Sequence, residues 1–388
     1  MGMAPLGNDV EAMLAQSPFD SRFVHAGSGF AEFAECGLVA CIPARDEESR
    51  VAASIAALDR ELGQSDGLVL LTNGCRDDTA GNALRALAGW RRPVLLIDGD
   101  FEPGTGSAPR ARRLAMDLAH ALAPQAALLS TDADTLVQPG LRSAYEGHLA
   151  EGFDLICGAI GFIEAEAACL PPSDPDADRV VREYRVSSRE IAERILPDAD
   201  NPWPHHGNIG GANFAITSRA YERIGGLPTP VSGEDRALRR LCAAMEMRIR
   251  YSDGPQVLTS CRLDGRAPGG LSDELKRSRE EVDPLVDELL EPPAALLTRL
   301  QAQKAFLSAA GRSERLRLLA FLDVPGEGIG RLAEAGDGLA WMQVEELSPR
   351  LARRRLRHSD LVRHLPDLLR IRDRMREDPA DRRDDPAA

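Results

Sequence analysis

The chain has 388 residues, 43% of them hydrophobic and 28% charged, which is ordinary for a folded protein and long enough for one large α/β domain plus an accessory unit. A formal charge of −14 argues against general nucleic-acid binding, which needs a basic field, and leaves any anionic ligand to be gathered by local arginines or a metal. Seven cysteines form an odd set with no C-x-x-C pair, so neither a disulfide framework nor a zinc ribbon is indicated, and a reducing compartment fits.

From residue 37 the chain alternates short apolar runs with helix-length amphipathic segments. "GLVACI" (37–42) precedes a helix expected over 47–62, "GLVLLT" (67–72) one over 77–89, and "PVLLI" (93–97) one over 107–122, before "ALLSTD" (127–132). This βαβα order predicts a mostly parallel sheet with helices on both faces and right-handed crossovers. A further strand is expected over 154–163; the proline-rich, acidic "LPPSDPDADR" (170–179) then reads as a surface loop before a helix near 178–196. Beyond about residue 272 strand signals cease, and periodic Leu and Ala segments divided by "EPP", "VPGEGIG" and "SPR" predict packed helices. The start lacks a basic stretch followed by an apolar one, and no apolar run approaches the length of a membrane span, so a soluble, cytoplasmic protein is expected.

The apolar run "ALLS" leads directly into Asp132 and Asp134, which places two carboxylates at the C-terminal edge of a strand. In an open α/β sheet ligands bind at that edge. Two close carboxylates repel and a divalent cation relieves the repulsion, which points to a metal-dependent phosphate site. The alternative is a solvated turn in which Asp134 caps the helix after Pro139. Arg110, Arg112 and Arg113 stand at a helix start after "EPGTGSAP", where phosphate oxygens can be met; an exposed cluster is the other reading, since arginine supplies 45 of the 47 basic residues. "SGEDRALRRL" fits a capping box between Ser232 and Asp235.

Taken in order, "CIPARDEE" (41–48), "TNGCRDDT" (72–79), "APRARRLAMDLA" (108–119), "DAD" (132–134), "GANFAITSRAYERIGGL" (211–227) and "GED" (233–235) resemble the family 2 glycosyltransferases, over Leu38 to Gly270. The resemblance implies a GT-A fold: an α/β nucleotide-sugar-binding domain with a mixed, mostly parallel sheet, here followed by a helical C-terminal region. The boundaries expected are an N-terminal extension over 1–35, the GT-A domain over 36–271 with an insertion near 165–204, helices over 272–378 and a disordered tail over 379–388. It implies transfer of a sugar from a nucleoside diphosphate sugar to an acceptor hydroxyl of a small molecule or glycan, with inversion and with Mn²⁺ or Mg²⁺.

By the same resemblance the backbone near Pro43, Ala44 and Arg45 lines the base pocket with Glu47 at its edge, and Asp77 follows at the family spacing. Asn73 stands where many relatives carry aspartate; an amide both donates and accepts, so uracil stays readable while the choice of base is open. Arg112 is assigned to the phosphates, Asp132 to the ribose and metal region, and Asp134 to the metal. Asp235 is the implied catalytic base, compatible with a capping role for Ser232, and Glu234 supports it or binds the acceptor. Gly211, Ala212, Asn213 and Trp203 are expected around the acceptor or sugar, and Arg262 and Arg266 at the diphosphate or acceptor.

Other readings of single stretches stand beside this one. "TNGCRDDT" alone is a turn with an N-cap, His205 and His206 read first as polar surface, and the basic run 349–364 reads as a solvated helix face rather than a lipid-binding one. "DADTL" also resembles the D-x-D-x-T string of haloacid dehalogenase-type phosphatases, but those need a lysine before a final acidic cluster, and the chain's two lysines, Lys276 and Lys304, lie in the helical region. An EF-hand fails, with Val137 and Ser143 where glycine and glutamate are required. A non-catalytic sugar-binding protein of the same fold is a third alternative, opposed by the joint presence of Asp134 and Asp235.

Overall fold

The computed structural model describes residues 8–26, 31–170, 172–265 and 269–377. Nine strands form one mixed sheet: β1 Phe19–Ala26, β2 Leu38–Ala44, β3 Asp66–Asn73, β4 Val94–Phe101, β5 Ala127–Ser130, β6 Thr135–Val137, β7 Leu155–Phe162, β8 Phe214–Thr217 and β9 Ile249–Thr259. Their order is β1-β4-β3-β2-β5-β8-β7-β9-β6. The run β4-β3-β2-β5 is parallel, β7 pairs β9 in parallel, and the other neighbours are antiparallel. The α/β architecture expected from the alternating pattern is the architecture observed.

Continuous apolar runs make the central strands, as burial on both faces demands. Leu38, Ala40, Ile42, Leu68, Leu70 and Leu96 share a core with Val51, Ile55 and Leu58 of the helix Val51–Glu61. The alternate residues Val39, Cys41, Val69 and Leu71 are equally buried, and the helix Ala108–Leu122 also packs on β2 and β3. Ser107 caps that helix, its Oγ accepting from the Arg110 amide at 3.3 Å, with Pro109 in the first turn where no N–H is missed.

Local departures from expectation have visible causes. The helix expected from residue 47 starts at Val51, because Asp46 takes φ +53° and the Glu47 and Glu48 amides donate to Thr79 Oγ1 and the Asp77 carboxylate across the loop. Asp134 caps nothing after Pro139: residues 135–137 form β6, and Gly140, at φ +87°, precedes the helix Leu141–Ala150. Phe19–Ala26, inside the expected extension, is an edge strand antiparallel to β4.

The chain divides into two compact units, one of residues 1–170, 206–243 and 247–273, the other of 171–205, 244–246 and 274–388. The second unit is helical and groups the helix Pro175–Ile195 with the C-terminal helices. One of its cores joins Tyr184 and Ile191 to Leu296, Leu300, Leu361 and Leu368; another centres on Phe306, Leu319, Leu332 and Trp341. The basic run is tied down by protein partners: Arg350 pairs with Asp323, Arg354 and Arg363 with Asp360, and Arg355 donates to the Val286 carbonyl. No helix among the described residues is long and apolar enough to cross a membrane.

Candidate active site

At β2 the sheet changes direction of growth, with β3 and β4 on one side and β5 on the other. Crevices form at such a point, outside the carboxyl ends of the strands. A cavity of about 210 Å³ opens here. Its lining comes from Pro43 and Ala44 at the end of β2, Arg45 and Glu47 after it, Asn73 at the end of β3, and Asp132, Ala133 and Asp134 after β5. Ala108, Ala111 and Arg112 of the helix Ala108–Leu122, Thr259 at the end of β9, and Ser260 and Arg262 after it complete most of it.

Two guanidinium groups, one buried and one half-buried, organise the acids. Arg112, with a side chain only 7% exposed, donates from Nη2 to Asp132 at 2.8 Å, from Nε to Glu234 at 3.1 Å, and from Nη1 to Ser130 Oγ at 2.8 Å and the Gly211 carbonyl at 2.9 Å. Arg262 grips both oxygens of Glu47 and lies 3.2 Å from Asp134 Oδ2. Burial, then the charge of Asp132, pushes the Asp134 carboxyl up to about 7, against the opposing pull of Arg262. Glu166 steadies the strand end that carries Arg262, accepting from Ser260 Oγ at 2.5 Å, from the Cys261 amide at 3.2 Å, and from Arg50.

Glu234 and Asp235 do not line the cavity; Arg112 links Glu234 to it, bonding Asp132 and Glu234 at once. Asp235 accepts from the Gly211 amide at 3.1 Å and the Arg236 amide at 2.6 Å, which leaves lone pairs on a half-buried carboxylate. Burial, then the Glu234 charge, raises the Asp235 carboxyl above the usual range.

The other residues singled out from the sequence lie as follows. Asn73 is buried at the cavity wall. Asp77 is away from the lining and braces two loops, accepting from the amides of Glu48 and Thr79. Asn213 is fully buried, its amide donating to the Ala159 and Pro255 carbonyls and accepting from Tyr145, so it ties strands together. Ala212 packs in the core, and Gly211 offers its backbone to Arg112 and Asp235. Trp203 belongs to the second unit, edge-on to His205, which itself stands 3.7 Å from Glu193; His206 sits 3.1 Å from the Cys157 carbonyl. Arg266 falls outside the described residues. Sequence reasoning missed Ser130, Ser260 and Glu166, which carry no motif; only their partners in space mark them out.

The donor set suits a hard divalent cation. Asp132 and Asp134 offer carboxylate oxygens, and a cation would offset the burial and, after it, the Asp132 charge that raise the Asp134 carboxyl. They form no cluster with a third ligand: among the described residues, the group of three potential ligand side chains within 4.8 Å of one another is Asp46, Cys75 and Asp77. One or two carboxylates completed by phosphate oxygens and water is how Mg²⁺ is commonly held.

No protein-family model matches the chain, and no curated protein matches it. Among solved structures the fold is similar to Staphylococcus aureus TarS residues 1–349 in complex with UDP-GlcNAc, at 12% identity over 80% of this chain and 90% of that one, with a TM-score of 0.43. It is also similar to glucosyl-3-phosphoglycerate synthase from Mycobacterium tuberculosis in complex with Mn²⁺, UDP-glucose and phosphoglyceric acid, at 13% identity over 71% and 85% of the two chains, with a TM-score of 0.39. Identities and overlaps of this size assign no role to any residue.

Proposed function

We propose that this protein is a cytoplasmic, divalent-metal-dependent glycosyltransferase that moves a sugar from a nucleoside diphosphate sugar to an acceptor hydroxyl with inversion. The observation that carries the reading is the convergence of five separated stretches, 43–47, 73, 108–112, 132–134 and 259–262, on one cavity at the switch point of the sheet. Pro43, Ala44, Arg45 and Asn73 take the base, and Asp132 and Asp134 face the diphosphate. A Mn²⁺ or Mg²⁺ ion held by these two acids would supply Lewis-acid neutralisation of the departing nucleotide. Arg112 orients Asp132 and Glu234 together, and Asp235 accepts the proton of the attacking hydroxyl. Its raised affinity for protons makes it a better base than an exposed aspartate.

Titration calorimetry with uridine diphosphate, with Mn²⁺ and then with chelator, tests the donor site. Affinity is expected to depend on the ion, and Asp134→Ala to weaken it by about tenfold or more, ~1.4 kcal/mol. Equal affinity under all three conditions would overturn the metal assignment.

A further inference from the structure

We propose that Arg262 is a counter-ion that competes with a divalent cation for Asp134: it pairs with this carboxylate when no ion is bound and yields it when the ion arrives. The proposal rests on the donor-site reading above. Three acids line the cavity, Glu47, Asp132 and Asp134, and Asp132 already has Arg112. Glu47 and Asp134 share Arg262. The sharing is unequal, because both terminal nitrogens of Arg262 serve Glu47, and Asp134 receives one longer contact of 3.2 Å from Nη2. Meanwhile the Arg262 Nε–H is buried with no partner among the described residues.

A guanidinium cannot shed its charge, so it and a divalent cation compete for the same carboxylate. The fork is built to survive losing that contest. Glu47, 5% exposed, keeps Arg262 paired, while Ser260 Oγ accepts from the Arg262 amide and Glu166 holds Ser260. Arg262 therefore stays at the cavity wall once Asp134 has changed partner, with donors free for a diphosphate oxygen.

Two effects of opposite sign follow. Without nucleotide, Arg262 hinders the metal; with nucleoside diphosphate, it helps. An opposite charge this close changes a carboxylate's proton affinity by about 10- to 1000-fold, and an effect of at least about tenfold is expected on metal binding as well. The test measures Mn²⁺ alone, by the loss of its free-ion electron paramagnetic resonance signal, and uridine diphosphate at saturating Mn²⁺, by calorimetry. Arg262→Gln is compared with Glu47→Gln/Arg262→Gln, a variant that leaves no unpaired charge at Glu47 should the single change misfold. Both are expected to bind bare Mn²⁺ more tightly than the wild type and uridine diphosphate more weakly. If the wild type binds uridine diphosphate with Mn²⁺ but bare-metal affinity is unchanged or lower in both variants, the counter-ion role is wrong and the donor site stands. If the wild type binds no uridine diphosphate with Mn²⁺, the donor-site reading fails and this proposal falls with it.

Discussion

Arg112 makes four hydrogen bonds to four protein groups spread from Ser130 to Glu234, so this arginine acts as a strut between Asp132 of the cavity and Glu234, the chain neighbour of the proposed base. Asp235, proposed above as the base, follows Glu234 directly in the chain. Its carboxyl is raised by burial and by Glu234, and the Arg236 amide and Arg112 oppose the rise. The folded state thus holds the proton more tightly than the unfolded chain does. This contribution to stability is present at low pH and lost as pH rises through the folded value, while the basic form appears over the same range. Transfer should therefore rise with pH through the raised value of Asp235. Asp235→Asn keeps size and one of the two acceptor oxygens but loses basicity; it is expected to lower transfer by about 10²- to 10⁴-fold and leave donor affinity nearly intact. Transfer assays across pH, with the anomeric configuration of the product read by NMR, check both points, and near wild-type transfer by a folded Asp235→Asn protein would reduce Asp235 to a structural acceptor.

Among the elements, β1 shows how an edge strand is held. Phe19 meets Phe101 edge-on with ring centroids 4.9 Å apart, and Arg22 spans Asp98 and Asp100 of β4. Asp98 in turn accepts from Thr72 Oγ1 at 2.6 Å, next to Asn73 of the cavity wall. The close approach of β1 to β4 depends on Gly99, where a Cβ would lie 2.2 Å from the Asp20 carbonyl oxygen. Backbone cannot give way as a side-chain tip can, so Gly99→Ala is expected to cost about 1–3 kcal/mol in urea unfolding, the usual scale of overpacking. No measurable loss would mean that β1 pairs too loosely to matter.

At the scale of the whole molecule, two units with separate cores carry separate duties. The candidate site lies wholly within the first. The second is organised around Arg299, 6% exposed at its side chain, which binds Glu291 through Nε and Nη2, Glu345 through Nη1 and the Leu351 carbonyl through Nη2. Tyr184 donates to the Glu291 carbonyl and draws the helix Pro175–Ile195 into the same assembly. Removing one partner of a buried pair strands the other charge, so Arg299→Met is expected to destabilise by about 3–5 kcal/mol in urea unfolding. A cost below about 1 kcal/mol, the scale of surface pairs, would show that water reaches this cluster.

Much of this protein is legible from local pattern. Apolar runs such as "LVACI" and "GLVLL" specify strands because burial on two faces leaves no room for polar alternation, and Ser107 and Pro109 announce a helix start through the backbone donors they satisfy or lack. Asp132 and Asp134 are readable as a site because a strand's end in an open α/β sheet is a place and not only a composition. The partners of the charges were not readable. Arg112 meets Glu234 across 122 residues and Arg262 meets Glu47 across 215, and no periodicity extends so far. Nor could the sequence tell that β1 closes an edge, that Asn213 is spent on strand carbonyls, or that Asp134 leads into a short strand instead of capping the helix after Pro139. Helix and strand signals arise from neighbours along the chain, so sequence alone determines them, whereas the sharing of buried guanidinium groups among acids depends on which strand ends the folded sheet brings together.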